Sequence, residues 1–234
     1  MSDVKDKIRE LLNKDRFCFD DLCALVSVLR SEEGCPWDRE QTNKSIRNCF
    51  IDETYEFIEG LDCDDNELMC EELGDVLFQI VFHADIKNDS NAFGMDEIID
   101  GICKKMILRH PHVFADTTVE NSSEVLVNWD IIKNDEKQRK TPYEQLKSVS
   151  AALPALMRAQ KLRSKAIKNN LIEECDFDAK CDTVQGLLNE LRDSKNPDKL
   201  GELLSELTAL SRIMDVEAEE VLYKYNNAFV EKYK

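Results

Sequence analysis

A chain of 234 residues with 31 basic and 48 acidic side chains carries a net charge of −17, which repels a phosphate backbone and argues against nucleic acid as a partner. Only 7 glycines and 5 prolines interrupt a composition rich in Leu, Ile, Val, Glu, Asp and Lys, so an all-α protein with an ample core is expected. The longest apolar run, Val76 to Phe82, is broken by Gln79 and is far too short for a membrane span, and the charged start MSDVKDKIRE has no signal-peptide core.

Taken in chain order, helices are expected over 4–14 and 20–31, the second capped by Asp20 or Asp21. Gly34 and Pro36 make the segment SEEGCPWDREQTN a loop. A helix over about 44–61, the turn DCDDN and a long helix over about 67–87 follow, then a polar break and a helix over 95–109 that stops at His110-Pro111-His112. The next helix, 122–140, is capped by Ser122 or Ser123. Pro142 marks a linker over 141–150, which separates a first domain, 1–140, from a second, 151–234. Helices at about 152–169, 180–193, 197–213 and 216–232 repeat the order of the first half, as an old duplication would. The nine cysteines are scattered without a CxxC pair and read as reduced thiols of a cytoplasmic protein.

The helix over 67–87 holds an anomaly. Leu73, Val76, Leu77, Phe78, Ile80, Val81 and Phe82 cover most of its circumference, so it should be buried on nearly all sides. Yet at ~100° per residue Glu72, Asp75, Gln79 and His83 fall in a stripe roughly 80° wide. Polar groups in line on a buried helix need partners, and two carboxylates one turn apart repel unless a cation lies between them. The preceding helix carries Glu53 and Glu56 at i and i+3 on the border of its apolar face, and the short turn makes the two helices neighbours. Four carboxylates can therefore converge. Oxygen donors alone favour a hard divalent ion, Mg²⁺ or Mn²⁺. A di-iron bundle would want Glu-x-x-His pairs, whereas the matching positions hold Glu56 and Asp75.

The spacing Glu53-x-x-Glu56, Glu72-x-x-Asp75 resembles the metal motif of the all-α nucleoside triphosphate pyrophosphohydrolases, and most of all the MazG family. GCPWDREQT (34–42), DETYEFIE (52–59), EELGDVLFQIVFHA (71–84), RHPHVF (109–114), NWDIIKNDEK (128–137) and LPALMRAQKLRSKA (153–166) resemble family segments in the family's order. The resemblance implies two tandem MazG-like helical bundles, a homodimer, and Mg²⁺-dependent hydrolysis of NTP or dNTP to the monophosphate and pyrophosphate, with Mn²⁺ as an alternative ion. Glu53, Glu56, Glu72 and Asp75 would be metal ligands. Lys105 and Arg109 would meet the phosphates. Trp129 and Lys133 match a later Trp and Lys of the family, for stacking and for phosphate. Trp37 of the CPWD loop would pack on the nucleotide or anchor its loop. His110 and His112 read as a structural stop, and His83 as a partner behind the ligands.

The chain also departs from the family's pattern. Asp52 stands where Glu is usual, and Leu68 where some relatives carry Lys. In two-domain relatives the acidic motif recurs in the second half; here its positions hold Leu187, Glu190, Lys199 and Glu202, and the later basic positions hold Asn227 and Ala228. The second domain is therefore expected to keep the fold and lack catalysis.

Overall fold

The computed structural model describes residues 2–137 and 141–234, and among them every regular element is a helix. They form two compact units, residues 1–117 and 118–234. The expectation of an all-α chain holds. None of the described helices is long and apolar enough to cross a membrane.

The first unit begins with α1 (Ser2–Leu12) and α2 (Phe19–Leu29). The turn before α2 is closed by Asp21, which accepts the Cys18 N–H at 2.9 Å, so α2 starts before the expected Asp cap. Proline opens short helices where loops or stops were expected: Pro36 at α3 (Pro36–Glu40) and Pro111 at α7 (Pro111–Phe114). Its missing N–H costs nothing in a first turn and its φ already suits a helix. Gly34 makes the approach to α3 possible, because a Cβ there would lie 2.2 Å from the Val28 carbonyl oxygen.

The frame of the unit is α4 (Arg47–Asp62) beside α5 (Asn66–Asp89). Asp64 takes a left-handed φ of 55° in the turn, and Asp65 caps α5 by accepting the Glu67 and Leu68 N–H groups. Gly60 lets the two helices close up: a Cβ on it would meet the Met69 backbone nitrogen at 3.1 Å. α2 packs on the far half of α5, where Val26, Ile46, Val81 and Phe82 form the buried core with Phe19, Leu22, Leu25, Phe78 and Met95 around it. Arg30 at the end of α2 lies over the Phe82 ring and pairs with Asp85 and, at 2.7 Å, with Asp89. α6 (Met95–Arg109) packs along α5 and leads into α7.

The expectation that α5 is buried on nearly all sides does not hold. Glu72, Gln79, Val81, Phe82 and Ala84 are buried, whereas Leu73 and Leu77 are 50% and 38% exposed. Among the described helices α4, α2 and α6 pack on α5, and they leave Leu73 and Leu77, at i and i+4 on one face, uncovered.

The second unit contains α8 (Ser122–Glu136), α9 (Pro142–Lys147), α10 (Ala155–Lys168), α11 (Phe177–Ser194), α12 (Pro197–Ile213) and α13 (Ala218–Glu231). Asn121, not a serine, caps α8, and α9 lies within the expected linker, opened by Pro142 behind a Thr141–Glu144 capping box. The last residues expected in α8, 138–140, lie outside the described residues. α11 begins at Phe177 because Asp176 accepts the Ala179 N–H, three residues before the expected start. α12 packs on α11 and α10. Buried Gln160 ties α10 to the start of α13, donating to the Val216 carbonyl at 2.9 Å and accepting the Ala218 N–H at 3.0 Å.

Candidate metal centre

Glu53 and Glu56 stand one turn apart on α4, and Glu72 faces them from α5. One carboxylate oxygen from each lies within 4.8 Å of the others. Glu72 is only 5% exposed, and its Oε2 is buried with no hydrogen-bond partner. A buried carboxylate oxygen without a donor beside two further carboxylates is costly unless a cation completes the group. The residues present thus fit a divalent ion that prefers oxygen ligands.

The electrostatics agree. Burial, followed by the charges of Asp75, Glu56 and Asp52, pushes Glu53 above the ordinary carboxylate range. Burial pushes Glu72 up as well, with Glu56, Asp75 and Glu53 adding to it. Asp75 is exposed and lies outside the group of three, but its charge is felt at half-buried Glu53 and at buried Glu72. Mutual repulsion of this kind is what a bound cation relieves.

Two turns along α5 from Glu72, buried Gln79 presents an amide oxygen that also lacks a partner. His83 follows. The Asn43 amide Nδ2 donates to His83 Nδ1 at 2.8 Å and to the His83 carbonyl at 3.0 Å, and Phe50 meets the imidazole edge-on at 5.8 Å. Burial lowers the His83 pKa, which favours the uncharged ring beside the Asn43 amide. Asn43 escaped the sequence reading because it lies in a loop before α4, outside any helical period. His110 bonds through Nδ1 to the Met106 carbonyl at 2.6 Å, which fits its reading as a helix stop.

The expected substrate contacts fall in different places. Trp37 on α3 is 58% exposed. Lys105 is half-buried and Arg109 is 5% exposed, both on α6. Arg109 is therefore not a solvated helix end. Trp129 and Lys133 lie on α8 in the second unit, with the Lys133 ammonium 4.4 Å from the centre of the Trp129 ring. In that unit Leu187 is buried, and the Lys199 ammonium sits between Glu190 at 2.8 Å and Glu202 at 3.0 Å. Hydrogen bonds to Glu190 and then Glu202 hold Lys199 above its ordinary value.

A protein of Thermotoga maritima named nucleoside triphosphate pyrophosphohydrolase/pyrophosphatase MazG is 36% identical over 92% of this chain and 84% of its own length. The chain belongs to the MazG nucleotide pyrophosphohydrolase family. The MazG domain model matches residues 41–114, which hold α4 to α7, all four acidic candidates, Lys105 and Arg109. The nucleoside triphosphate pyrophosphohydrolase of Escherichia coli K12 is 35% identical over 92% of this chain and 85% of that protein. One of the same name from Mycolicibacterium smegmatis is 34% identical over 66% of this chain and 47% of its own length.

The raised carboxylates of this MazG centre carry a pH prediction. The metal-free fold binds protons at Glu53 and Glu72 more tightly than the unfolded chain does. Their contribution to stability is thus full below the unfolded carboxylate pKa and is lost as pH rises through the raised folded values. A divalent ion competes with the same protons and replaces what is lost. The rise in Tm on adding Mg²⁺ is expected to be small near about pH 5 and larger near about pH 8. Calorimetry at both values checks it, and a larger rise at the acid value would contradict the assignment.

Proposed function

We propose that this chain is a Mg²⁺-dependent nucleoside triphosphate pyrophosphohydrolase that cuts NTP or dNTP into the monophosphate and pyrophosphate. The observation that carries the reading is the convergence of Glu53, Glu56 and Glu72 with an unpartnered, buried Glu72 oxygen. The names of full-length relatives supply the reaction.

Glu53, Glu56 and Glu72 hold the ion, with exposed Asp75 as a fourth ligand from the same stripe. Bound there, Mg²⁺ supplies charge neutralisation for the phosphates and a water of lowered pKa. The carboxylates repel a bare triphosphate of about four negative charges, so they admit it only with cations along its chain. Lys105 and Arg109 serve that purpose from α6. Trp37 offers a face for stacking on the base or sugar.

The second unit supports the fold without catalysing. A metal centre at the matching positions would need four acidic groups. Leu187 offers none, and the Lys199 ammonium stands where a cation would have to lie, already paired with both Glu190 and Glu202. A panel of nucleoside triphosphates with Mg²⁺, scored for pyrophosphate, tests both parts. Pyrophosphate is expected from the wild type, and Glu202→Ala is expected to keep its rate within about twofold. Release of orthophosphate alone would sink the reaction, and an inactive but folded Glu202→Ala protein would sink the supporting role.

The chain acts as a homodimer in this reading. Tyr55 and Ile58 on α4 and Leu73 and Leu77 on α5 are 51%, 38%, 50% and 38% exposed. A second copy would take this apolar surface out of water. Light scattering on the purified protein is expected to give twice the chain mass, and Leu73→Asp is expected to give single chains. A monomeric wild type would refute it.

A further inference from the structure

We propose that Gln79 recognises the sugar of the nucleotide at this centre, its carboxamide hydrogen-bonding a ribose or deoxyribose hydroxyl group. The inference rests on the pyrophosphohydrolase reading and adds to it a residue that selects the substrate without holding the metal.

The first ground is an unmet hydrogen bond. Gln79 is 8% exposed, and its Oε1 is buried with no donor among the described residues. A buried amide oxygen in that state is costly, and a ligand that brings a hydrogen to it removes the cost. The unpartnered Glu72 oxygen is a different case. It is charged and has Glu53 and Glu56 within reach, which suits a cation. Gln79 is neutral and stands outside that group, so the partner it calls for is an O–H or N–H donor.

The second ground is direction along α5. The short turn after α5 sends α6 back along it. Met95, the first residue of α6, packs on the core beside Val81 and Phe82. Lys105 and Arg109 come ten and fourteen residues later, ~15 and ~21 Å along the return, and Glu72 lies ~15 Å from Phe82 on α5. The cations of α6 therefore fall at the level of Glu72 and beyond it, and the phosphate chain runs that way.

The nucleoside then leaves the centre in the other direction. Gln79 stands there, about 6 Å along the axis from Asp75 and about 10.5 Å from Glu72. Helical side chains lean back toward the N-terminus, which brings its carboxamide nearer the carboxylates than its Cα is. The sugar is the first group after the α-phosphate on that side, and hydroxyls are its hydrogen donors. One turn further, Asn43 holds His83 at 2.8 Å, and Phe50 meets the imidazole at 5.8 Å. Rings suit a base and an unpartnered amide suits a hydroxyl. The order cations, carboxylates, amide, rings repeats the order of groups in a nucleoside triphosphate.

Kinetics with ATP and 2′,3′-dideoxy-ATP in Mg²⁺, scored for pyrophosphate, form a cycle with Gln79→Leu and, as a second variant of similar bulk, Gln79→Met. Wild-type kcat/KM is expected to fall at least about tenfold when the hydroxyls are removed, as a site left with an unpaired buried group rejects its ligand. In the variants the two substrates are expected to agree within about threefold, because ATP falls to the level of the dideoxy substrate. Equal penalties in wild type and variants, or no penalty in the wild type, would overturn the assignment. A parallel loss of both substrates in the variants would overturn it too, by making Gln79 a structural residue. Calorimetry with AMP and 2′,3′-dideoxy-AMP repeats the comparison without turnover. A wild type that tells these monophosphates apart yet releases no pyrophosphate from ATP would refute the reaction and keep the sugar contact. Pyrophosphate release without discrimination would do the reverse.

Discussion

Glu72→Gln is expected to cut pyrophosphate release by at least about a hundredfold, because a metal centre supplies several kcal/mol of transition-state stabilisation and even its outer partners are worth 10–100-fold. The substitution keeps the size of a side chain that is 5% exposed and removes its charge. Its second effect runs the other way. Glu72 is pushed up by burial and by Glu56, Asp75 and Glu53, so its ionised form opposes the metal-free fold at neutral pH. The Gln protein in EDTA should therefore melt higher than the wild type, and Mg²⁺ should no longer raise its Tm. Pyrophosphate assays beside calorimetry, with and without EDTA, read both effects. A folded Glu72→Gln protein of full activity would remove Glu72 from the centre. A lower metal-free Tm would show that its carboxylate has a partner in the fold.

Phe82→Ala should cost about 3–5 kcal/mol, the range for deleting a fully buried aromatic ring and leaving a cavity. Phe82 is 2% exposed, packs edge-on against Phe78 at 5.6 Å, and lies in the cluster of Val26, Ile46 and Val81 that joins α2 to α5. The Arg30 guanidinium over its ring would lose that face as well. Because α5 also carries Glu72, weakened packing there should raise the Mg²⁺ concentration needed for half-maximal activity. Urea unfolding measures the first effect and a metal titration of activity the second. A loss below about 1 kcal/mol would mean that the core closes around the gap, as only a loosely packed site can.

The amino-acid sequence by itself determined the helical class, the antiparallel α4–α5 frame and the carboxylates Glu53, Glu56 and Glu72. Each rests on a local rule: composition without breakers, a short capped turn, and a 3.6-residue period that lines up acidic groups on one side of an otherwise apolar helix. The acidic stripe was legible because it contradicts its surroundings. The ends of elements were less so. Pro36, Pro111 and Pro142 read as interruptions and in fact open helices, since a proline residue serves equally after one helix and at the start of the next.

Tertiary structure decided the rest. Whether Leu73 and Leu77 are covered depends on which neighbours α5 finds, not on its own pattern. That Asn43 holds His83 follows from a loop crossing a helix forty residues away, and no period in the sequence links them. Lys199 could be read as a lost metal ligand, but only packing shows its ammonium between Glu190 and Glu202. Contacts between residues distant in the chain are set by side-chain packing, which the spacing of residues along one helix does not encode.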